Sequence, residues 1–141
     1  MKIDFFETGS GMDPRAVKGG TYLVELINCR TADKVCLYIG ESVWIASRCG
    51  VHLYSLFENA AYFGLTDEDL ENESFILKFS VIDTIDDKKS ILGCGKYRES
   101  EKEAIENYHP LTQLKTSDRQ IRNIEDKIGK VQDELKNRGW K

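Results

Sequence analysis

Hydrophobic positions along the chain recur with the period of strands in three segments. Apolar runs rich in β-branched and aromatic residues predict strands at Thr21–Ile27, Val35–Ile39 and Phe75–Ile82. The polar link 28–34 predicts that the first two strands form an antiparallel hairpin. The first nineteen residues contain glycines and a proline but no sustained period. They predict an irregular N-terminal arm, or an edge strand at most.

Two segments have the spacing of amphipathic helices. The first begins after Ser42, which is placed to cap it, and its apolar stripe recurs at Ile45, Cys49, Leu53, Leu56 and Ala60. The second spans Lys96–Tyr108 and is stopped by Pro110. The predicted fold class is therefore α/β, of the α+β type: a small three-stranded, mostly antiparallel sheet flanked by helices.

A third helix is predicted at the C-terminal end, over residues 117–138. Its apolar residues repeat at steps of three and four, which is a short heptad seam: Ile121, Ile124, Ile128, Val131 and Leu135. Such a seam must be covered, either by the helix's own domain or by the same helix of a second chain in a homodimer. The predicted organisation is an arm at 1–19, a globular domain at 20–113 and this helix within 114–141.

Composition supports a packed core and excludes several classes of protein. Hydrophobic residues make up 40% and charged residues 31% of the chain, a balance that excludes a wholly disordered or collagen-like protein. No apolar run is long enough for a membrane helix, and the first twenty residues lack a signal peptide, so we expect a cytoplasmic protein without a membrane partner. The four cysteines form no Cys-x-x-Cys pair, which favours small core residues over metal ligands.

The net charge of −4 would, taken alone, argue against nucleic acid as a partner. The acidity is concentrated, however, since residues 66–90 carry three basic and eight acidic side chains. The stretch 66–73 is most simply a solvated loop or helix edge. Contacts with nucleic acid would then fall to local bases, namely Arg15, Lys18, Lys96, Arg98 and Lys102.

Several polar residues stand at the ends of these predicted elements. Tyr22 lies at the start of the first predicted strand. Tyr38 lies at the end of the second strand, two residues before Gly40. Arg48 and His52 are four residues apart and so project from one face of the first helix. Taken singly, each has a bland interpretation: a core tyrosine with a wet hydroxyl, a surface arginine or a helix-face histidine.

Together these residues resemble the GIY-YIG nuclease family over residues 20–113. Gly20-Thr21-Tyr22 stands where that family has its first signature, and Tyr38-Ile39-Gly40 matches the second. The family's arginine lies ten residues beyond the second tyrosine, here Arg48, and many members carry a histidine four residues later, here His52. Its metal-binding glutamate precedes an aliphatic residue by four positions in a helix that runs into a proline, here Glu101. Two departures are a longer spacing between the tyrosines, which predicts a longer hairpin, and Gln113 in place of an asparagine.

The resemblance implies a metal-dependent endonuclease acting on DNA, with RNA not excluded. In-line hydrolysis of a phosphodiester needs a deprotonated water and relief of charge on the phosphoryl oxygens and the leaving oxygen. The implied roles are Tyr22 as general base, Arg48 on the phosphoryl oxygens, and Glu101 as ligand of one divalent cation, Mg²⁺ or Mn²⁺. Tyr38 and His52 would orient water and phosphate or assist proton transfer, with Gly40 and Gln113 as structural support.

These five side chains, from Tyr22 to Glu101, are expected to meet in one cleft. The alternative is a nucleic-acid-binding or protein-interaction module that keeps the fold without significant turnover.

Overall fold

A four-stranded mixed sheet forms the centre of the fold. The computed structural model describes residues 1–85, 94–114 and 120–141, with the backbone alone at 94–99. The strands of the sheet are β1 (Lys2–Phe5), β4 (Gly19–Asn28), β5 (Asp33–Ser42) and β6 (Phe75–Ile85), and a separate ribbon pairs β2 (Glu7–Thr8) with β3 (Gly11–Met12). Their order in the sheet is β1-β6-β4-β5. The protein is thus α+β, with helices packed on a mixed sheet.

The first strand corrects the predicted number of strands from three to four. β4 pairs antiparallel with β5 and β6, as the apolar runs predict, but β1 adds a fourth strand parallel to β6. Of the two N-terminal predictions, the edge strand is the one observed for Lys2–Phe5. The strand has only four residues and pairs with a segment about 70 positions later, so local periodicity gave little sign of it.

The hairpin of β4 and β5 is long, as the spacing of the tyrosines predicts. Each strand has ten residues, and a turn at 29–32 joins them, with Ala32 in the left-handed region at φ 59°. A β-bulge between Val24 and Glu25 shifts the register, so Val24 faces Tyr38 while Glu25 faces Cys36. The extra residue on β5 reverses its side-chain alternation from there on.

The helices cover both faces of the sheet. Helix α1 (Ile45–Glu58) lies over the larger hydrophobic cluster, and α3 (Cys94–Tyr108) packs on the opposite face against Leu23, Cys36 and Ile39. No helix among the described residues is long and apolar enough to cross a bilayer.

Ser42 does not cap α1, contrary to the prediction. It is the last residue of β5, and its hydroxyl bonds to the backbone N–H and C=O of Trp44, which holds the capping position without a side-chain bond. Ala60, the last residue of the predicted stripe, lies beyond the helix in a 3₁₀ turn, Ala60–Phe63. Of the cysteines, Cys36 and Cys49 are buried as predicted, whereas Cys29 is exposed and the Cys94 side chain lies outside the described part.

The acidic stretch is only partly solvated. It contains the short helix α2 (Asp67–Glu71), which begins with a capping box between Thr66 and Asp69. Asp69 is buried, and its carboxylate accepts from the Lys141 ammonium at 2.8 Å and the Gln132 amide at 2.8 Å. The prediction of a solvated segment is therefore wrong for Asp69, because these C-terminal partners cannot be seen from local sequence.

The C-terminal helix α4 (Ile124–Asn137) docks on its own domain. Val131 and Leu135 are fully buried in the larger cluster, whereas Ile124 is half exposed. The helix starts later than predicted: Ile121 N–H donates to the Thr112 carbonyl in an extended segment, and Asn123 provides the cap. Residues 117–119 of the predicted helix lie outside the described residues. The apolar seam is thus covered in its second half by the domain itself.

Candidate active site

The bulge in the hairpin brings two tyrosines to the same face of the sheet. Tyr22 and Val24 point into the cluster beneath α1, and Leu23 points to the other face. Without the extra residue on β5, strict alternation from Leu37 would send Tyr38 to the face of α3. With it, Tyr38 joins Tyr22, and their ring centroids are 6.2 Å apart.

Gly40 leaves the space that the Tyr22 side chain occupies. The two residues are directly paired across the hairpin. A Cβ atom at position 40 would lie 2.3 Å from the Tyr22 hydroxyl oxygen and 2.8 Å from Cε1 of Tyr38. Any side chain at this position would displace the Tyr22 ring, so the glycine fixes where that hydroxyl lies.

Burial and a neighbouring cation set the protonation of the cluster. Burial is the main cause that raises the pKa of Tyr22 far above its ordinary value, although Arg48 works in the opposite direction. Burial, followed by the charge of Arg48, lowers the pKa of His52 to about 4. Burial also opposes the charge of Arg48, but the nearby tyrosines outweigh it and raise the pKa of the guanidinium. At neutral pH the tyrosine and the histidine are uncharged beside a charged arginine.

His52 lies between two tyrosine hydroxyls. Its Nε2 is 2.7 Å from the Tyr22 hydroxyl, and its Nδ1 is 2.8 Å from that of Tyr62. Tyr22 is buried and protonated, so its O–H requires an acceptor, and the nearby Arg48 guanidinium, whose charge lowers the pKa of this hydroxyl, can only donate. Tyr22 therefore donates to Nε2, and the Nδ1–H of the neutral ring donates to Tyr62. The unprotonated Nε2 of His52 thus faces Tyr22, the residue for which the resemblance implies the role of general base.

The C-terminal helix supports this cluster from below. Lys127 is buried, and its ammonium donates to the Tyr62 carbonyl at 2.9 Å and to Gln120 Oε1 at 2.9 Å, 5.4 Å from the centre of the Tyr62 ring. Burial lowers its pKa. The side chain of Gln120 also bonds the Tyr62 hydroxyl. The C-terminal helix, which the sequence predicts as a segment separate from the domain, therefore contacts Tyr62, the third member of the hydrogen-bonded chain after Tyr22 and His52.

Gln113 holds the strand that carries Tyr38. Its side-chain oxygen accepts from the Ile39 N–H at 2.8 Å, and its amide nitrogen donates to the Ile39 carbonyl at 2.6 Å. These bonds resemble those of a neighbouring strand. Although the family pattern has an asparagine here, the longer glutamine side chain reaches both backbone groups of the residue between Tyr38 and Gly40.

Glu101 is carried by α3, the helix that packs on the face of the sheet formed by Leu23 and Ile39. It is one helical turn before Ile105 and is 5% exposed. The adjacent Ser100 accepts a hydrogen bond from Thr21 at 3.2 Å, which puts this part of α3 at the end of the sheet where Tyr22 lies. Four of the five predicted side chains thus form one buried cluster, and a cleft shared with Glu101 stays a prediction. Among the described residues there is no group of three or more His, Cys, Asp or Glu side chains arranged for a metal ion.

Tyr62 and Lys127 are the site residues that sequence reasoning missed. Tyr62 belongs to the 3₁₀ turn after α1, ten residues beyond His52, and matches no element of the family pattern. A lysine at an apolar helix position was the available signal for Lys127. Of the basic residues predicted to contact nucleic acid, Arg15 and Lys18 belong to a segment that packs against the start of α1, where the Lys18 carbonyl accepts from the Ile45 N–H. Lys102 is exposed on α3. The side chains of Lys96 and Arg98 lie outside the described part.

Comparison with known proteins adds no relative to this geometry. No family model, curated protein or solved structure matches the chain.

Proposed function

We propose that this protein is a metal-dependent endonuclease of the GIY-YIG type that hydrolyses phosphodiester bonds of DNA. The observation that carries the proposal is the hydrogen bond of 2.7 Å between the buried Tyr22 hydroxyl and His52 Nε2, with the charge of Arg48 near enough to lower the pKa of both groups. A tyrosine paired with a neutral imidazole and a cation is a base, its proton acceptor and an anion-binding group in one place.

The pairing addresses a weakness of tyrosine as a base. A phenol has an ordinary pKa near 10, and burial raises that of Tyr22 further, so a free phenolate is scarce at neutral pH. If Tyr22 passes its proton to Nε2 as it takes one from water, the phenolate never has to accumulate. The Nδ1–H bond to Tyr62 holds the ring in the tautomer that this transfer needs.

Arg48 links this buried pair to a substrate. It is exposed to solvent, yet its charge lowers the pKa of the Tyr22 hydroxyl, which has no exposure of its own. A phosphodiester that draws the guanidinium outward would uncover this hydroxyl for a water molecule. The phosphate charge would also offset that of Arg48, which is one of the causes that lower the pKa of His52, and so strengthen the imidazole as a proton acceptor.

Glu101 is the proposed ligand of one Mg²⁺ or Mn²⁺ ion. A carboxylate oxygen is the donor these ions take, and a single carboxylate suffices for Mg²⁺ because the ion keeps several waters and binds substrate phosphate. The chemistry supplied there would be neutralisation of charge on the departing oxygen. The neighbouring Ser100 bonds to Thr21, so Glu101 is carried at the end of the sheet where Tyr22 lies, as this role requires.

A second function is favoured by the burial of the base. Tyr22 has no solvent exposure, and Glu101 is only 5% exposed. A nucleic-acid-binding or protein-interaction module that keeps the cluster as part of its core would show both features. In that case the hydrogen bonds of His52 stabilise the fold and transfer no proton.

Nicking of a supercoiled plasmid in the presence of Mg²⁺ or Mn²⁺ separates the two functions. The endonuclease should convert supercoiled to open-circular plasmid, and Glu101→Gln and Arg48→Ala should each reduce the rate at least 100-fold while the far-ultraviolet circular dichroism is unchanged. Glu103→Gln, the same change at an exposed glutamate two residues from Glu101, serves as the matched control. Absence of nicking at micromolar enzyme with either metal would leave the binding module as the function.

A further inference from the structure

Helix α1 and the two residues before it carry an unusual number of exposed large apolar side chains. They hold half of the exposed large hydrophobic residues in the described part of the chain. We refer to them as the aromatic face, which consists of Val43, Trp44, Val51, Tyr54 and Phe57. Trp44, Tyr54 and Phe57 are 55%, 68% and 65% exposed. Single exposed apolar residues are ordinary, whereas several along one short segment mark a binding surface.

The aromatic face is continuous with the candidate active site. Trp44 and Arg48 are one helical turn apart, about 6 Å along the helix axis. Arg48 lies close enough to Tyr22 and His52 for its charge to lower the pKa of both groups. A ligand that rests on Trp44 would therefore place its adjoining part against the guanidinium that faces the site.

The charges around the aromatic face favour an anionic ligand at its Trp44 end. Arg48 lies one turn from Trp44, and the exposed Lys18 follows a 3₁₀ turn that packs against α1. Arg15 in that turn is paired with Asp13 at 2.8 Å, so Arg48 and Lys18 are the cations that face a ligand. The acid that α1 contributes is Glu58, at the far end of the helix. Aromatic rings next to cations are the combination that binds single-stranded nucleic acid, in which bases stack on the rings and phosphates meet the cations. A duplex offers no free base faces to such a surface.

We propose that the aromatic face binds unpaired DNA, with a base stacked on Trp44 and the adjoining phosphate on Arg48. The inference rests on the proposed function and deepens it, because it makes single-stranded or locally opened DNA the substrate class. Tyr54 and Phe57 extend the platform along the helix for further bases.

Intrinsic fluorescence tests this binding directly because the chain has two tryptophans in different surroundings. Trp140 is buried, and its ring centroid is 5.7 Å from that of Phe75. Trp44 is therefore the tryptophan that a ligand can reach. The Trp140→Phe variant of the full chain, in EDTA, is titrated with a 20-nucleotide strand and with its duplex. We expect quenching by the single strand and at least tenfold weaker binding of the duplex.

Alanine variants assign the affinity to the aromatic face. Since stacking on an aromatic side chain contributes about 1–3 kcal/mol per base, Trp44→Ala should weaken binding of a labelled single strand about fivefold to more than a hundredfold, measured by anisotropy. Tyr54→Ala should weaken it as well. Tyr108→Ala removes an exposed aromatic residue from α3 and should leave the affinity unchanged.

Three results would overturn the proposal. The first is equal affinity for the single strand and the duplex. The second is an affinity of Trp44→Ala for the single strand that equals that of the parent protein. The third is a mass in light scattering that rises with protein concentration but stays at that of one chain in Trp44→Ala. The last would assign the face to a second copy of the chain. Because these measurements use EDTA and record binding alone, loss of nicking with intact binding would reject the endonuclease and leave the platform standing.

Discussion

The Tyr22 hydroxyl and His52 Nε2 face each other at 2.7 Å across the interface between the sheet and α1, and both residues are fully buried. The contact joins a strand residue to a helix residue 30 positions later. It depends on Gly40, which leaves room for the hydroxyl, and on Tyr62, which orients the far side of the ring. Substitutions at this pair allow nicking activity and the free energy of unfolding to be measured separately.

Removal of the Tyr22 hydroxyl should abolish cleavage while the fold persists. Tyr22→Phe keeps the ring in the core and leaves His52 Nε2 without its donor, so we expect a loss of about 1–2 kcal/mol in the free energy of unfolding. Nicking activity should fall at least 100-fold. Urea unfolding and plasmid nicking are measured on the same preparation, with Tyr108→Phe on α3 as control. Full activity in Tyr22→Phe would contradict its role as base.

Protonation of His52 should destabilise the fold in mild acid. Its pKa is about 4 in the folded state and about 6.5 in an unfolded chain, so the unfolded state binds the extra proton between these values. The stabilisation from a neutral His52 is complete above pH 6.5 and is lost as the pH falls towards 4, by on the order of 3 kcal/mol.

The difference between wild type and His52→Gln isolates this effect from the carboxylates. Urea unfolding at pH 7.5, 5.5 and 4.5 should show a smaller decline in stability for His52→Gln than for wild type. His109→Gln, a change at an exposed histidine, should follow the wild type. Parallel declines in wild type and His52→Gln would show that the ring is protonated without cost.

Two glycine substitutions should have effects of opposite sign. Gly40→Ala puts a methyl group 2.3 Å from the Tyr22 hydroxyl oxygen, and overpacking of this kind costs about 1–3 kcal/mol. It should also abolish nicking, because the hydroxyl is displaced from His52. Gly50 lies in α1 with nothing within 4 Å of an added Cβ, so Gly50→Ala should stabilise by about 0.5–1 kcal/mol. Thermal unfolding of both variants checks the pair, and equal changes would refute this geometry.

The C-terminal helix should tolerate charge at its open end and not at its docked end. Val131→Asp buries a carboxylate in the core beside Gly64 and should cost about 3 kcal/mol or more. Ile124→Asp is at a half-exposed position in the first turn, where an acid suits the helix dipole, and should change stability by less than about 0.5 kcal/mol.

Light scattering of the same two variants addresses the homodimer. Since Val131 and Leu135 are buried within one chain, we expect the mass of a monomer for wild type at all concentrations. A dimer that dissociates on Ile124→Asp would instead show that the first half of the seam, with Ile121 and Ile128, pairs between chains.

Local periodicity was enough to predict the three antiparallel strands and the helices on them. The hairpin, α1 and α3 follow from apolar spacing, and Pro110 marks the end of the second predicted helix. β1 was beyond this reasoning as a definite strand because its partner is distant in sequence, and the start of α4 was misplaced because residues 120–123 are extended against Thr112.

The candidate site was predicted in part for the same reason. One hairpin and the helix that follows it carry Tyr22, Tyr38, Arg48 and His52. Their spacing along the chain is therefore enough to predict that these side chains lie close together. Tyr62 and Lys127 reach the cluster through tertiary packing of a 3₁₀ turn against the last helix. Glu101 was placed by the resemblance alone, because local sequence does not say which face of the sheet α3 covers.

The side chain of Gln113 has a consequence for the solubility of the protein. β5 is the edge strand of the sheet, and an uncovered edge pairs readily with a strand of another molecule. Here Leu111 and Thr112 donate backbone N–H groups to the Cys36 and Leu37 carbonyls, and the Gln113 amide occupies both polar groups of Ile39. The amide thus closes the edge beside Tyr38 without adding a strand. Its loss would expose the backbone of Ile39 as a template for aggregation.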